Sequence, residues 1–221
     1  MLRKGIFMSR LETFKYQIEH VMDPVTRLLE TTNNPHHRKI LENYRLHVHL
    51  ELAGEFDRIV ASDMMVDEPI YRINWGKPTV LRGKEEVVAF YKSAQRFVMW
   101  NTDDQIAVAD WGLADELTFH FLASGEILEE FGVEVDDKQA FYHYQTKQAF
   151  IWPYDEHARL IGEHLYVDAT SAVVEKIEES DLVSPEWVQA THKRILKELD
   201  SAKTSRDGMV STHEKTLHNG R

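Results

Sequence analysis

The chain has 221 residues, 43% of them hydrophobic, with a formal net charge of -11 at pH 7 and no cysteine. That length buries one sizeable core, so a single domain with extensions is expected. The negative surface repels nucleic acid and anionic membrane, and the missing thiols exclude disulfides, thiol catalysis and thiolate metal sites.

The first eight residues carry two positive charges but no apolar run behind them, so no signal peptide is expected. No apolar stretch is long enough to span a bilayer, and a cytoplasmic protein is the expectation. Leu11, Phe14, Ile18, Val21, Val25 and Leu28 recur at spacings of three and four, a helical stripe. The stripe reads as an arm packed on its own domain or as a seam for a partner helix. Pro24 lacks a backbone donor, so it starts a second helix with Asp23 as N-cap.

A helix is predicted over 36–53, ended by Gly54, with a short helix around Phe56, Ile59 and Val60. Residues 64–73 read as a strand and 83–97 as an amphipathic helix. From Ile106 the period becomes two, with strands at 106–111, 117–122, 139–152 and 159–168. An acidic hairpin loop spans 126–138 and a turn 153–156. Ser184 caps a last helix with Pro185 in its first position, running to about Leu199. Residues 201–221 are weakly apolar and expected to be disordered.

Helices followed by a meander imply an α+β fold. The expected organisation is an N-terminal helical extension over 1–34, an α+β domain over 35–170, and a C-terminal helix and tail over 171–221.

Two acids stand out by period. Glu68 shares a strand face with Val66 and Ile70, and Glu163 shares one with Ile161, Leu165 and Val167. A carboxylate in such company would be desolvated and become a better proton acceptor near neutrality. The other reading of Glu68 is a rim carboxylate paired with Arg72 or Lys84. Glu163 reads as a second cavity acid or as the partner of an inward cation such as Lys147. On the helix 36–53, Tyr44, His47, Val48 and Glu51 lie on one side, so His47 is either an inward donor or proton shuttle or a satisfied core histidine. His120 and His143 sit on strands whose register the sequence does not give. Trp75, Trp100, Trp111 and Trp152, with Tyr71, Phe119 and Phe121, either line an apolar pocket or fill the core. No phosphate loop, nucleophile elbow or metal-ligand cluster is found, so no cofactor or metal is expected.

Three blocks carry a resemblance: Ala53-Gly54-Glu55-Phe56-Asp57; Asp67-Glu68-Pro69; and Arg82-Gly83 leading to Val87-Val88-Ala89-Phe90-Tyr91. Their order and spacing resemble the front half of nuclear transport factor two-like proteins, among them ketosteroid isomerases and SnoaL-like polyketide cyclases. The segment 160–168 resembles the last strand of SnoaL-like proteins. The resemblance implies a cone-shaped, curved antiparallel sheet packed against N-terminal helices around a cavity, with extra helices at both ends.

It further implies that Glu68 is the general base and that His47 takes the position of an oxyanion-hole tyrosine. The second oxyanion donor falls near Lys147 or Gln148. Tyr44, Glu163, His143, His120 and Trp100 are the expected substrate contacts, the histidines by likeness to scytalone dehydratase-like members. The implied chemistry is cofactor-independent proton transfer on an apolar, carbonyl-containing molecule, as an isomerase, cyclase or dehydratase. The alternative is a non-catalytic ligand-binding or oligomerisation module. Epoxide hydrolysis, as in limonene epoxide hydrolase-like members, is disfavoured because Leu165 stands where that family has a catalytic Asp. A homodimer is the default partner state.

Overall fold

Local signals in the chain set most element ends. In a computed structural model, which describes residues 8–218 and their side chains as far as 202, α1 (Arg10–Glu19) opens on a capping box. The Ser9 hydroxyl accepts from the Glu12 amide, and the Glu12 carboxylate accepts from the Ser9 amide. Helix α2 (Asp23–Thr31) has Pro24 in its first turn. Helix α3 (Pro35–Ala53) is capped by the Asn34 side chain, which accepts from the amides of His36 and His37. It ends at Gly54, whose φ of 75° is left-handed and cheap only for glycine. A one-turn helix α4 (Phe56–Ile59) leads to β1 (Met65–Asn74), β2 (Thr79–Arg82) and α5 (Gly83–Ala94).

The meander follows as β3 (Val98–Ala109), β4 (Gly112–Ser124), β5 (Phe141–Pro153) and β6 (Leu160–Ile177). Helix α6 (Gly125–Glu130) occupies part of the acidic gap predicted as loop, with Ser124 as its N-cap. Strand β2 was not legible in the sequence: it is four residues long and mostly exposed, so it carries no period. Helix α7 (Pro185–His218) starts as expected, the Ser184 hydroxyl accepting from the Trp187 amide at 3.2 Å. It continues well past Leu199 to His218, through a stretch without proline where disorder was expected.

The sheet is α+β in kind and open, with strand order β2-β1-β6-β5-β4-β3. All neighbours are antiparallel except β1 with β6, which run parallel. Gly162 allows that parallel approach: a Cβ there would lie 1.9 Å from the Ile70 carbonyl oxygen. The main core lies between α3 and one face of the sheet, where Ile40, Leu41 and Leu50 meet Leu113, Leu117, Phe150 and Leu165. Each fully buried aliphatic side chain there stabilises the fold by about 1.5–3 kcal/mol. Among the described residues no helix is long and apolar enough to cross a membrane.

Candidate functional site

Core packing between α3, α5 and the sheet is incomplete. A cavity of about 160 Å³ remains, reached also by the start of α7 through Pro185, Val188 and Gln189. Its wall is apolar where Phe56, Phe90, Phe119, Phe150, Trp152 and Leu165 meet. Into that wall α3 delivers Tyr44 and Glu51, α5 delivers Tyr91, β5 delivers Gln148 and β6 delivers Glu163. Helical spacing explains the first pair, since residues 44, 48 and 51 lie on one side of α3. Strand alternation explains the last, since Glu163 and Leu165 share the buried face of β6.

Tyr91 joins these groups. Its hydroxyl oxygen lies 2.9 Å from His47 Nε2, 3.1 Å from Tyr71 Oη and 3.3 Å from Glu163 Oε2. A phenol has one proton to give, so Tyr91 donates to one of these groups and accepts from another. His47 Nε2 is also 3.9 Å from Glu51 Oε2. Hydrogen bonds therefore join Glu163, Tyr91 and His47, with Glu51 close by but not bonded to His47.

Burial decides the charge of each member. Desolvation pushes the Glu51 carboxyl up to about 7. Its side chain keeps 33% of its accessible surface and lines the cavity. Glu163 is held well above the ordinary carboxylate range, first by burial and then by the neighbouring Glu51 charge; its bond with Tyr91 opposes the rise. His47 is fully buried and desolvation pulls it down to about 3, so it is a neutral imidazole. Burial thus favours the protonated form of Glu163, while Glu51 is carried to about 7.

Behind one wall of the cavity lies another acidic pair. Asp115 on β4 accepts from the Tyr44 hydroxyl at 2.7 Å and from the Trp152 indole N–H at 3.3 Å. Burial raises both Asp115 and its neighbour Asp104, and for Asp104 the charge of Asp115 adds to that rise. Neither Asp lines the cavity; the Asp115 contacts fix Tyr44 and Trp152, which do.

The residues expected from sequence divide into those the fold gathers and those it separates. Tyr44, Glu163 and Trp100 line the cavity, and His47 stands just behind Tyr91. Glu68 does not reach it. Pairing of β1 with β6 jumps from Met65 opposite Leu160 to Ile70 opposite Gly162, so 66–69 bulges out of the sheet around Pro69, which has no amide to donate. Met65, Pro69, Tyr71 and Ile73 are buried, and Glu68 is exposed beside Gly83 at the start of α5. The inward face assumed for Glu68 is thereby corrected: the buried residues of β1 are all odd-numbered, and Glu68 shares the other face with half-buried Val66 and Ile70.

His120 and His143 also lie elsewhere. His120 alternates with Phe119, so it occupies the opposite face of β4 from the cavity. There His120 Nδ1 and His143 Nε2 are 2.9 Å apart, stacked on Trp100, with Phe14 of α1 packed against the His143 ring at 4.7 Å. They anchor α1 rather than contact a ligand. Glu51 was visible in the sequence as a member of the inward side of α3, Gln148 as a doubtful oxyanion position, and Tyr91 as part of an apolar helix face. Their roles depend on long-range contacts that no local pattern encodes. Among the described residues no group of three or more His, Asp or Glu is arranged to hold a metal ion.

No family model matches the chain, and no curated protein matches it by sequence. Solved structures do match in shape. A candidate SnoaL-like polyketide cyclase from Shewanella denitrificans aligns over 62% of this chain and 94% of its own, at 10% identity and a TM-score of 0.47. A candidate polyketide cyclase from Xanthomonas campestris aligns over 61% and 94%, at 8% identity and a TM-score of 0.46. A Mycobacterium tuberculosis protein solved in complex with estradiol-17β-hemisuccinate aligns over 61% and 98%, at 13% identity and a TM-score of 0.41. These are likenesses of shape at low identity over about three fifths of this chain.

Proposed function

We propose that the cavity binds an apolar small molecule bearing a carbonyl group and that Glu51 and Glu163 carry out proton transfer on it without a cofactor. The reaction class is isomerisation, cyclisation or dehydration. The observation that carries this reading is two carboxyls in one apolar cavity, both raised by burial, Glu51 to about 7. A base is most useful when its pKa lies near the working pH.

In the proposed step, the Glu51 carboxylate takes a proton from the carbon next to the carbonyl. The C–H electron pair moves into the enolate, whose oxygen accepts a hydrogen bond from protonated Glu163 or from Tyr91. Glu51 then returns the proton to carbon.

Deuterium uptake from D2O into simple monocyclic ketones, followed by NMR, tests this without a known substrate. The wild-type protein should accelerate exchange, and Glu51→Gln should slow it by about 10²–10⁴-fold with folding intact. Wild-type exchange no faster than buffer, or an unchanged rate in the variant, would sink the proton-transfer reading.

A second reading, a ligand-binding module without turnover, is favoured by one observation. The acid that the resemblance casts as base, Glu68, lies outside the cavity. We also propose a homodimer, supported by the exposed Ile161, Tyr166, Val173 and Val174 on β6. Light scattering should give twice the chain mass of 25.8 kDa; the mass of one chain at tens of micromolar would refute it.

A further inference from the structure

Glu163 and Tyr91 both line the cavity and both carry a proton that a ligand's carbonyl oxygen could accept. The hydrogen bonds around them decide which one gives it. The deciding partners are His47 and Tyr71, and neither of these lines the cavity.

Tyr71 is fully buried, and among the described residues its hydroxyl has one hydrogen-bond partner, the Tyr91 hydroxyl 3.1 Å away. A buried phenol proton without an acceptor is costly, so Tyr71 gives its proton to Tyr91. His47 Nε2 lies 2.9 Å from the same oxygen, while its buried Nδ1 has no partner. Of the two neutral tautomers, the favoured one leaves a lone pair orphaned rather than an N–H. His47 therefore carries its proton on Nε2 and donates it to Tyr91. Tyr91 now accepts twice, and its own proton has one acceptor left, Glu163 Oε2 at 3.3 Å.

The far side of Glu163 follows. With Oε2 accepting from Tyr91, the proton of the neutral carboxyl sits on Oε1. Burial favours that neutral form. Oε1 makes no hydrogen bond among the described residues, yet it is not sealed off as His47 Nδ1 is, and Glu163 borders the cavity. Accepting at one oxygen also strengthens donation from the other, because linked hydrogen bonds polarise one another.

We infer that Glu163, through Oε1–H, is the donor to the ligand's carbonyl oxygen, and that Tyr91 is a positioning residue whose proton His47 and Tyr71 direct onto Glu163. The inference rests on the reading of this cavity as a site for a carbonyl compound. It goes further in choosing between the two donors and in giving His47 and Tyr71 a role without contact to the ligand.

Carbon-13 NMR of 4-methylcyclohexanone labelled at the carbonyl tests it. A cavity of about 150 Å³ holds benzene, so a one-ring ketone suits the space of about 160 Å³ here. On the wild-type protein the bound carbonyl signal should lie downfield of its position in hexane, the mark of a hydrogen-bonded ketone. Glu163→Leu should abolish that displacement and weaken binding by about tenfold. Glu163→Gln offers the same pair of groups, a carbonyl for Tyr91 and an N–H for the ligand, and should restore most of what Glu163→Leu loses. Tyr91→Phe should keep more than about half of the displacement. If that variant does not fold because it strands the Tyr71 proton, Tyr71→Phe combined with Tyr91→Phe takes its place. Complete loss in Tyr91→Phe, or a displacement that survives Glu163→Leu, makes Tyr91 the direct donor and overturns the assignment. Loss in Glu163→Gln as well as in Glu163→Leu means that Glu163 acts as an anion, and overturns it too. No bound signal in the wild type overturns this inference and the ligand reading together. A displaced signal without deuterium exchange removes the proton transfer and leaves the donor assignment standing.

Discussion

On the cavity side of the sheet, burial holds carboxyls up; on the opposite face it holds histidines down. The physical cause is the same, loss of water around a group that would otherwise charge. The consequences differ. Glu51 is carried to about 7, into the range where a small change of pH or of ligand moves a proton. His120 and His143 are carried to about 3 and about 4, far from any working pH, and so are fixed as neutral rings. A buried titratable group suggests chemistry when its environment moves it towards neutrality. Moved away, it suggests a staple. By that test the His120–His143 pair under α1 and the His49–His192 pair between α3 and α7, 3.0 Å apart, are staples for the two terminal helices.

The contrast predicts opposite pH behaviour, and acid unfolding is the largest effect expected. A histidine depressed in the folded state stays neutral there, while the unfolded chain takes up a proton below about pH 6.5. Its contribution is complete above that pH and is lost as pH falls towards the folded value. For His47, which is fully buried and shifted by desolvation alone, the loss by pH 4 is on the order of 3 kcal/mol. His49, His120, His143 and His192 lose in the same direction. Together these losses rival an ordinary folding stability of about 5–15 kcal/mol.

The raised carboxyls pull the other way, since protonation relieves the cost of burying their charge as pH falls from above 7. Ellipticity at 222 nm should therefore hold near neutrality and collapse between about pH 6 and 4. Full helical signal retained at pH 4 would show that the histidines are not buried neutral. His143→Phe keeps the stack on Trp100 and should move the collapse to lower pH.

How far this division was legible from sequence follows from the range of the signals. Caps and breakers act within a few residues, so Gly54 and Ser184 placed helix ends to within a residue or two. Period two identified Glu163 as a polar residue on an apolar face, and β6 keeps its alternation there. The same rule failed at Glu68 because period two does not say which of two alternating faces is buried, and in β1 it is the odd-numbered one. The parallel β1–β6 pairing that reveals the bulge joins segments some ninety residues apart. His120 and His143 were placed on strands whose pairing the sequence left open, and only the register of β4 against β5 decides their face, a long-range property. Tyr91 looked like one more apolar residue of an amphipathic helix until its hydroxyl could be placed among His47, Tyr71 and Glu163.

The smallest expected effect is the sharpest test of that lesson. The block Asp67-Glu68-Pro69 resembles the base-bearing strand end of ketosteroid isomerases, so by resemblance Glu68→Gln should abolish proton transfer. By geometry it should do almost nothing. Glu68 is exposed, sits beside the first residue of α5 and does not line the cavity. The predicted change in deuterium exchange is less than about twofold, and surface substitutions of this kind alter stability by about 0.5 kcal/mol or less. The two outcomes are separated by at least about two orders of magnitude, the usual worth of a general base. A hundredfold loss in Glu68→Gln with Glu51→Gln unaffected would mean that the bulge refolds inward when ligand binds, bringing Glu68 to the cavity. A silent Glu68→Gln beside a crippled Glu51→Gln would mean that the helix, and not the strand, carries the base in this chain.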